Sequence, residues 1–153
     1  MMNTIDKEIT MTVPNRISII TLGVADLARS TAFYESLGWE TSPASMPTIT
    51  LFEMQGSVLG LYERSALADD AQVPTEGSGF RGVTLALNLA STDEVDAVFA
   101  EWLAVGAQSM VEPHKAFWGG YSSYVGDPDG HLWELVHNPY AKIDADGRLV
   151  MAG

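Results

Sequence analysis

Few side chains in this sequence could perform chemistry, and one carboxylate stands out among them. Glu134 lies inside an apolar, strand-like segment, Leu132–His137, where a carboxylate removed from water could bind a ligand or act as a general acid or base. Alternatively, it satisfies a hydrogen bond of the interior. The chain has no cysteine, which excludes thiolate catalysis, disulfides and zinc–thiolate sites. Ser30 is interpreted as a packing residue, because no histidine near it in the sequence could activate it as a nucleophile.

The composition is typical of a globular domain with an acidic surface. A chain of 153 residues can bury a substantial core, and 46% of these residues are hydrophobic. Eight Lys and Arg residues against 20 Asp and Glu residues give a net charge of −12, which disfavours nucleic acid and anionic lipid and favours cationic ligands. No segment approaches the roughly 20 apolar residues of a membrane span, and the first residues lack the apolar run of a signal peptide. A cytoplasmic location is therefore expected.

The elements that position these residues begin with a strand and a helix. The β-branched, apolar segment Arg16–Val24 predicts a strand. Asp26 is a suitable N-cap for the following helix, whose apolar residues recur at helical spacing, and Gly38 stands where a helix commonly ends. Two further strands around a Gln-Gly turn are predicted at Thr48–Met54 and Ser57–Glu63.

The same order recurs at an offset of about 65–68 residues, which indicates a duplicated unit. A chance recurrence of strands and helices is the alternative. Gly82–Ala90 predicts a strand, and Ser91–Glu94 forms a capping box for a helix that ends at Gly106. Further strands are predicted at Gln108–Glu112, Tyr121–Val125 and Leu132–His137. The turn residues Asp127–Gly130 (D-P-D-G) would join the last two strands as a hairpin.

These patterns predict a single domain over residues 15–140. Its first module covers about residues 15–64 and its second about 81–139. A polar segment rich in Pro and Gly, residues 65–80, is predicted to link them. Residues 1–14 are expected to form a flexible tail, and residues 141–153 a C-terminal extension.

Two segments resemble the vicinal oxygen chelate superfamily, which includes glyoxalase I, bleomycin-resistance proteins and extradiol dioxygenases. Leu22–Trp39 (LGVADLARSTAFYESLGW) is similar to the family's V-x-D-x-x-x-S-x-x-F-Y-x-x-L-G helix. Phe117–Pro139 (FWGGYSSYVGDPDGHLWELVHNP) is similar to its D-P-x-G-x-x-x-E turn and last strand. The resemblance covers about residues 16–139. It implies an α+β fold of two tandem βαβββ modules that form a curved, half-barrel-like mixed sheet with the helices outside, and it implies a homodimer.

The resemblance also implies where a metal would lie. In the family's metalloenzymes four residues on the concave face of the sheet hold one divalent ion, and the matching positions here are Ile19, Gly60, Thr84 and Glu134. Ile and Gly offer no donor and a Thr hydroxyl is a weak one, whereas divalent ions need several carboxylates or imidazoles. The iron site of a dioxygenase, with two His and one Glu, is disfavoured for the same reason. We therefore expect no metal or other cofactor, with a displaced site at His114 and Glu134 as the alternative.

The residues that share this concave face predict an apolar cup with one carboxylate. Strand alternation places the small residues Gly60, Gly82 and Ala86 there, which would leave volume for a small organic molecule. The loop Glu112–Tyr121 has aromatic side chains and paired glycines, which suit a mobile rim. The residues predicted to bind a ligand are Ile19, Thr21, Gly60, Tyr62, Thr84, Ala86, His114, Phe117, Trp118, Tyr121 and Glu134, of which Glu134 is also the catalytic candidate.

Three functions stay open. The first is metal-free binding of a small organic ligand, cationic or partly aromatic because the chain is acidic and the rim aromatic. It resembles the bleomycin-resistance branch, in which two such folds pair and hold a ligand between them. The second is a lyase, isomerase or dioxygenase that uses Glu134 or a displaced metal. The third is an interaction module whose paired sheets serve assembly only. The first is the function we predict, with a homodimer as the expected assembly.

Overall fold

The computed structural model describes residues 12–151, so most of the predicted tail of residues 1–14 lies outside the described residues. The first module contains β1 (Ile19–Val24), α1 (Leu27–Glu35), β2 (Ile49–Glu53) and β3 (Val58–Glu63). Asp26 caps α1 as predicted, since its Oδ1 accepts the N–H of Arg29 at 3.0 Å. β3 lies between β1, to which it is parallel, and β2, to which it is antiparallel.

The segment 65–80, which the sequence predicts to be a linker, contains regular structure. It begins with a helix, α2 (Arg64–Ala71), whose end is marked by Gln72 in the left-handed region at φ 58°. The guanidinium of Arg64 then donates to the carbonyls of Thr75 (3.0 Å) and Gly77 (3.1 Å), which holds the following residues against the helix. Only Ala68 of this helix is buried, so the helix has no apolar stripe. The sequence therefore lacks the periodic apolar residues by which an amphipathic helix is predicted.

The second module contains β4 (Thr84–Asn88), α3 (Thr92–Ala104), β5 (Gln108–Lys115), β6 (Tyr121–Gly126) and β7 (Leu132–His137), with the sheet order β4-β7-β6-β5. Ser91 accepts the N–H of Glu94 (3.1 Å), while the Glu94 carboxylate accepts the N–H of Ala90 (2.7 Å). The predicted capping residues therefore act at this helix, although Glu94 bonds one residue earlier than in the usual capping box.

The predicted α+β fold is confirmed, and its sheets are arranged as two separate open sheets. The first sheet has three strands where the sequence resemblance implies four. In place of a further strand, Thr41 pairs with Phe52 and Met46 pairs with Ile49 as isolated bridges. The C-terminal extension adds a small hairpin of β8 (Ala141–Ile143) and β9 (Leu149–Met151). Within residues 12–151, no helix is both long and apolar enough to cross a membrane.

One hydrophobic core joins the two modules, and aromatic side chains from both form its centre. Tyr34 of α1 stacks on Trp39 with ring centroids 5.6 Å apart, and Trp102 of α3 lies 5.3 Å from Trp133 of β7. Phe33 packs edge-on against Trp102 at 6.0 Å. Such edge-to-face and offset contacts add to the burial of large apolar rings. The core thus fixes the relative position of the two modules.

The two segments that carry the family resemblance contact each other directly. In the turn between β6 and β7, Asp127 accepts the hydroxyl of Tyr34 at 2.6 Å and Asp129 accepts the hydroxyl of Ser30 at 2.7 Å. The ring nitrogen Nε2 of His131 lies 2.7 Å from the carbonyl oxygen of a β1 residue. These bonds connect the second module to α1 and β1 of the first, so this part of the motif is structural. We call it the turn–helix contact.

Candidate functional site

Glu134 lies on the face of the second sheet that points away from the core, called here the outer face. Its neighbours in β7, Trp133 and Leu135, point into the core, so strand alternation directs Glu134 to the other side. The register places Ala86 of β4 on one side of Glu134 and Tyr124 of β6 on the other. Cross-strand neighbours on one face are in side-chain contact range. The structure therefore surrounds Glu134 with one small and one aromatic residue.

Ser122 and Tyr124 form a polar group with this carboxylate. The buried Ser122 hydroxyl donates to Glu134 Oε2 at 2.6 Å, which is short and typical of a charge-assisted bond. Desolvation raises the pKa of Tyr124 above its ordinary value, and the negative charge and hydrogen bond of Glu134 raise it further. Neither residue is among the site residues predicted from the sequence. Strand alternation outward from the predicted hairpin turn would have placed Tyr124 opposite Glu134 and Ser122 diagonal to it on the same face.

Replacing Glu134 with Gln is expected to lower the pKa of Tyr124 toward its ordinary value of 10.0, because the charge that disfavours the phenolate is removed. The measurement is an alkaline absorbance titration of phenolate. The titration curve of a protein with Tyr124→Phe is subtracted, so that the difference reports Tyr124 alone. Asp96→Asn is the matched control, because Tyr121 bonds to Asp96 at 2.7 Å and its pKa is raised mainly by that bond. An unchanged Tyr124 titration in the Gln variant would show that the two side chains do not interact.

His114 and Thr84 lie on the same outer face and are exposed. His114 is paired in register with Ser122, two strands from Glu134, and its Nδ1 lies 3.1 Å from the carbonyl oxygen of Glu112. Thr84 lies two residues before Ala86 in β4, so their side chains share one face, and both residues are exposed. Four of the predicted ligand-binding residues in the second module thus lie on one solvent-exposed sheet face: His114, Thr84, Ala86 and Glu134.

The predicted ligand-binding residues of the first module form a separate group in the three-stranded sheet. A Cβ at Gly60 would lie 3.3 Å from the Thr21 hydroxyl and 3.7 Å from a methyl of Ile19, so these three residues adjoin one another. It would also lie 3.5 Å from Leu51, which means that the space beside Gly60 is occupied rather than open. Tyr62 is paired with Gly23 further along the same strands. The predicted single cup is thus divided between two sheets.

The predicted mobile rim forms a hydrogen-bonded hairpin instead. β5 extends to Lys115, and the tight turn that follows has the Ala116 N–H bonded to Gly120 O at 2.8 Å. A Cβ at Gly120 would fall on the ring of Trp118, so the indole is packed over its own turn and only Phe117 is fully exposed. Tyr121 does not join the outer-face group, because its hydroxyl donates to Asp96 of α3 on the opposite side of the sheet. These three aromatic residues therefore do not form a continuous rim.

The residues at the family's metal positions provide few donor atoms. Ile19 and Gly60 provide no donor atom, and one oxygen of Glu134 accepts a bond from Ser122. Among residues 12–151, no three His, Asp or Glu side chains are grouped closely enough to share an ion. A divalent cation needs several such donors in place of its hydration shell. The donor set at these positions does not fit the metal.

Comparison with known proteins identifies the relatives of this chain. Residues 16–135 match the sequence model described as the Glyoxalase/Bleomycin resistance protein/Dioxygenase superfamily. The chain is similar to a glyoxalase-related enzyme from Fulvimarina pelagi, with 34% identity over 92% of this chain and 100% of that chain, and a TM-score of 0.81. It is also similar to a glyoxalase/bleomycin resistance protein/dioxygenase from Nocardioides, with 26% identity over 86% of this chain and 88% of that chain, and a TM-score of 0.71.

More distant structures share the fold alone. A lactoylglutathione lyase from Agrobacterium tumefaciens has 22% identity over 83% of this chain and 96% of that chain, with a TM-score of 0.63. The chain has no significant match among curated proteins. The family match covers most of the chain and includes both segments that form the turn–helix contact. The chain therefore belongs to the glyoxalase/bleomycin resistance protein/dioxygenase superfamily.

Proposed function

We propose that this protein binds a small organic ligand on the outer face of its four-stranded sheet, with Glu134 as the polar anchor. The observation that carries this proposal is the placement of one carboxylate, bonded to Ser122 at 2.6 Å, between the small Ala86 and the ring of Tyr124 on the outer face. A few placed polar groups among apolar ones are typical of small-molecule sites. The metal positions have the wrong donors, so the proposed binding uses no metal.

The ligand class follows from charge and from exposed aromatic surface. The chain has a net charge of −12, and the anchor is itself an anion. Phe117, at the tip of the β5–β6 hairpin, is fully exposed and could stack on a ligand ring. Charge attraction and stacking both favour a cationic, partly aromatic molecule.

A second copy of the chain is the proposed lid of this site. Ile19 of β1, at 52% exposure, and Met110 of β5, at 47%, are apolar side chains of the two sheets that are left open to solvent. Pairing of two chains would cover them and enclose Glu134, as the family resemblance implies. Light scattering and analytical ultracentrifugation would measure this association, and a monomer at all concentrations would contradict it.

Replacing Glu134 with Gln is expected to weaken the binding of a cationic aromatic compound about tenfold, because a charge-assisted contact is lost. A panel of such compounds is screened by tryptophan fluorescence, and the compound that binds is titrated into both proteins. Glu101→Gln is the matched control, since Glu101 lies exposed on α3, away from the outer face. Equal affinity in the Glu134 variant, or the absence of binding across the panel, would contradict the proposal.

An enzymatic form of the proposal is supported by the proton-bearing groups around the anchor. Ser122, Tyr124 and Glu134 could hold a proton or transfer it to a bound molecule, which a lyase or isomerase of this superfamily would require.

Dioxygenase chemistry would need a displaced metal at His114 and Glu134. Elemental analysis of protein purified without chelators separates the two forms, since less than about a tenth of an equivalent of Ni, Zn, Fe or Mn would leave only the metal-free form. A structure with the outer face filled by its own side chains would instead favour an interaction module.

A further inference from the structure

A cavity of about 650 Å³ lies between the two modules, and Glu134 is not among its lining residues. One wall is the whole of strand β4, and the opposite wall is formed by Ile20 of β1 and the β2–β3 turn. The C-terminal hairpin contributes Ile143, Arg148 and Leu149 to its rim. Its volume lies within the range of about 300–1,000 Å³ that is usual for small-molecule sites. The C-terminal extension thus forms part of a cavity wall.

Unpaired backbone groups of β4 face this cavity. β4 is an edge strand whose partner in the sheet is β7. The N–H of Leu89, which follows β4, donates to Val136 of β7. Because successive residues of a strand direct their N–H and C=O groups to opposite edges, Thr84, Ala86 and Asn88 direct theirs away from β7. These groups therefore provide hydrogen-bond donors and acceptors along this wall.

The charge of the cavity is opposite to that of the rest of the chain. The chain has 20 Asp and Glu residues, yet none of those within residues 12–151 lines this cavity. In the same part of the chain its one lining cation is Arg148, whose Nε lies 3.8 Å from the position a Cβ would take at Gly56. Gly56 has a φ of +98°, so a side chain there would be strained and the guanidinium lies over bare backbone. Within residues 12–151, no carboxylate lies within ion-pair distance of Arg148.

We propose that this cavity is a second binding site, for a small apolar carboxylate. The apolar body would lie between Ile20, Leu87 and Trp133, with its carboxylate at Arg148. A guanidinium binds a carboxylate with good geometry, and among residues 12–151 no acidic side chain forms an ion pair with the guanidinium of Arg148. The two sites adjoin at Thr84 and Ala86, but they can be tested apart because they differ in their charged anchor, Arg148 or Glu134, and in the charge of the ligand that each selects.

Decanoate is the probe, and calorimetric titration of the full chain measures its binding. Arg148→Met is expected to weaken decanoate binding about tenfold, because a charge-assisted contact is lost while the apolar stem is retained. Lys142→Met is the matched control: it removes the same charge from the same hairpin, but Lys142 does not line this cavity. Decyltrimethylammonium is expected to bind more weakly than decanoate. Equal effects of the two variants, or no binding of decanoate to the unaltered chain, would overturn the proposal.

Amide chemical shifts locate the probe independently of affinity. Decanoate in the cavity should move the amide signals of Thr84, Ala86 and Asn88 more than those of Leu85 and Leu87, whose N–H groups are directed to β7. If the largest changes fall instead on the outer-face residues Ser122 and Tyr124, decanoate occupies the other site and the second-site proposal is wrong. That result would leave the outer-face proposal standing, so the two can fail separately.

Discussion

Replacing Asp127 with Ala is expected to lower the free energy of unfolding by about 3–5 kcal/mol. The side chain is buried, with 6% of its surface exposed, and accepts the hydroxyl of Tyr34 at 2.6 Å. It also accepts the backbone N–H groups of Asp129 (2.9 Å) and His131 (2.8 Å). Without it, one buried donor and two partly buried donors lose their acceptor. Urea denaturation followed by tryptophan fluorescence measures the loss.

The C-terminal hairpin provides a matched control for this substitution. Asp144 accepts the N–H groups of Asp146 and Arg148, both at 2.9 Å, in a turn with the same spacing of bonds. That turn is exposed and has no tyrosine, so Asp144→Ala should cost no more than about 1 kcal/mol. If both variants lose the same stability, burial and Tyr34 contribute nothing. Tyr34→Phe should also destabilise the fold, because the indole N–H of Trp133 donates to that hydroxyl at 3.0 Å.

Replacing Asp129 with Ala is expected to cost about 2–4 kcal/mol, and to loosen the attachment of the second module to the first. Its side chain is 7% exposed and accepts the Ser30 hydroxyl at 2.7 Å and the N–H of Ala25 at 2.8 Å. The carboxylate also lies near the first turn of α1, where a negative charge is favourable. Hydrogen exchange of the α1 amides, measured beside the unfolding transition, reports the loosening.

The ion pair with Arg29 is expected to contribute little to this effect. Arg29 bonds to Asp129 at 3.1 Å, but half of its side chain is exposed. Exposed pairs contribute about 0–1 kcal/mol, so Arg29→Met should change stability far less than Asp129→Ala. A double-mutant cycle of Ser30→Ala with Asp129→Ala should give a coupling energy above about 1 kcal/mol. Additive effects would mean that the 2.7 Å bond does not stabilise the fold.

Local patterns predict much of the secondary structure because the forces behind them act over a few residues. The predicted bounds of the last strand, Leu132–His137, agree with the structure. Asp26 and Ser91 cap their helices as predicted, since a capping side chain bonds within its own turn. The first strand was predicted three residues too long at its start, because Arg16–Ser18 has strand-like residues but the ladder with β3 begins only at Ile19.

The errors occur where contacts distant in sequence decide the conformation. α2 has no apolar stripe, and the segment after it is held by Arg64 through carbonyls 11 and 13 residues away. The predicted rim became a tight hairpin because β5 continues to pair with β6 up to Lys115. Tyr121 faces α3 rather than the outer-face group, because the pairing register sets its side of the sheet.

The sequence alone determined the strands and the capped helix of each module, the hairpin turn at Asp127–Gly130, and the presence of one carboxylate in the last strand of the second module. These follow from local spacing and from the residues themselves. Only the tertiary structure decided that Glu134 pairs with Ser122 and that the motif aspartates join the two modules. It also divided the predicted cup between two sheets and left a cavity beside β4. The physical reason is that these features depend on strand register and module packing, which bring together residues 12 positions apart at Ser122 and Glu134 and 99 apart at Ser30 and Asp129.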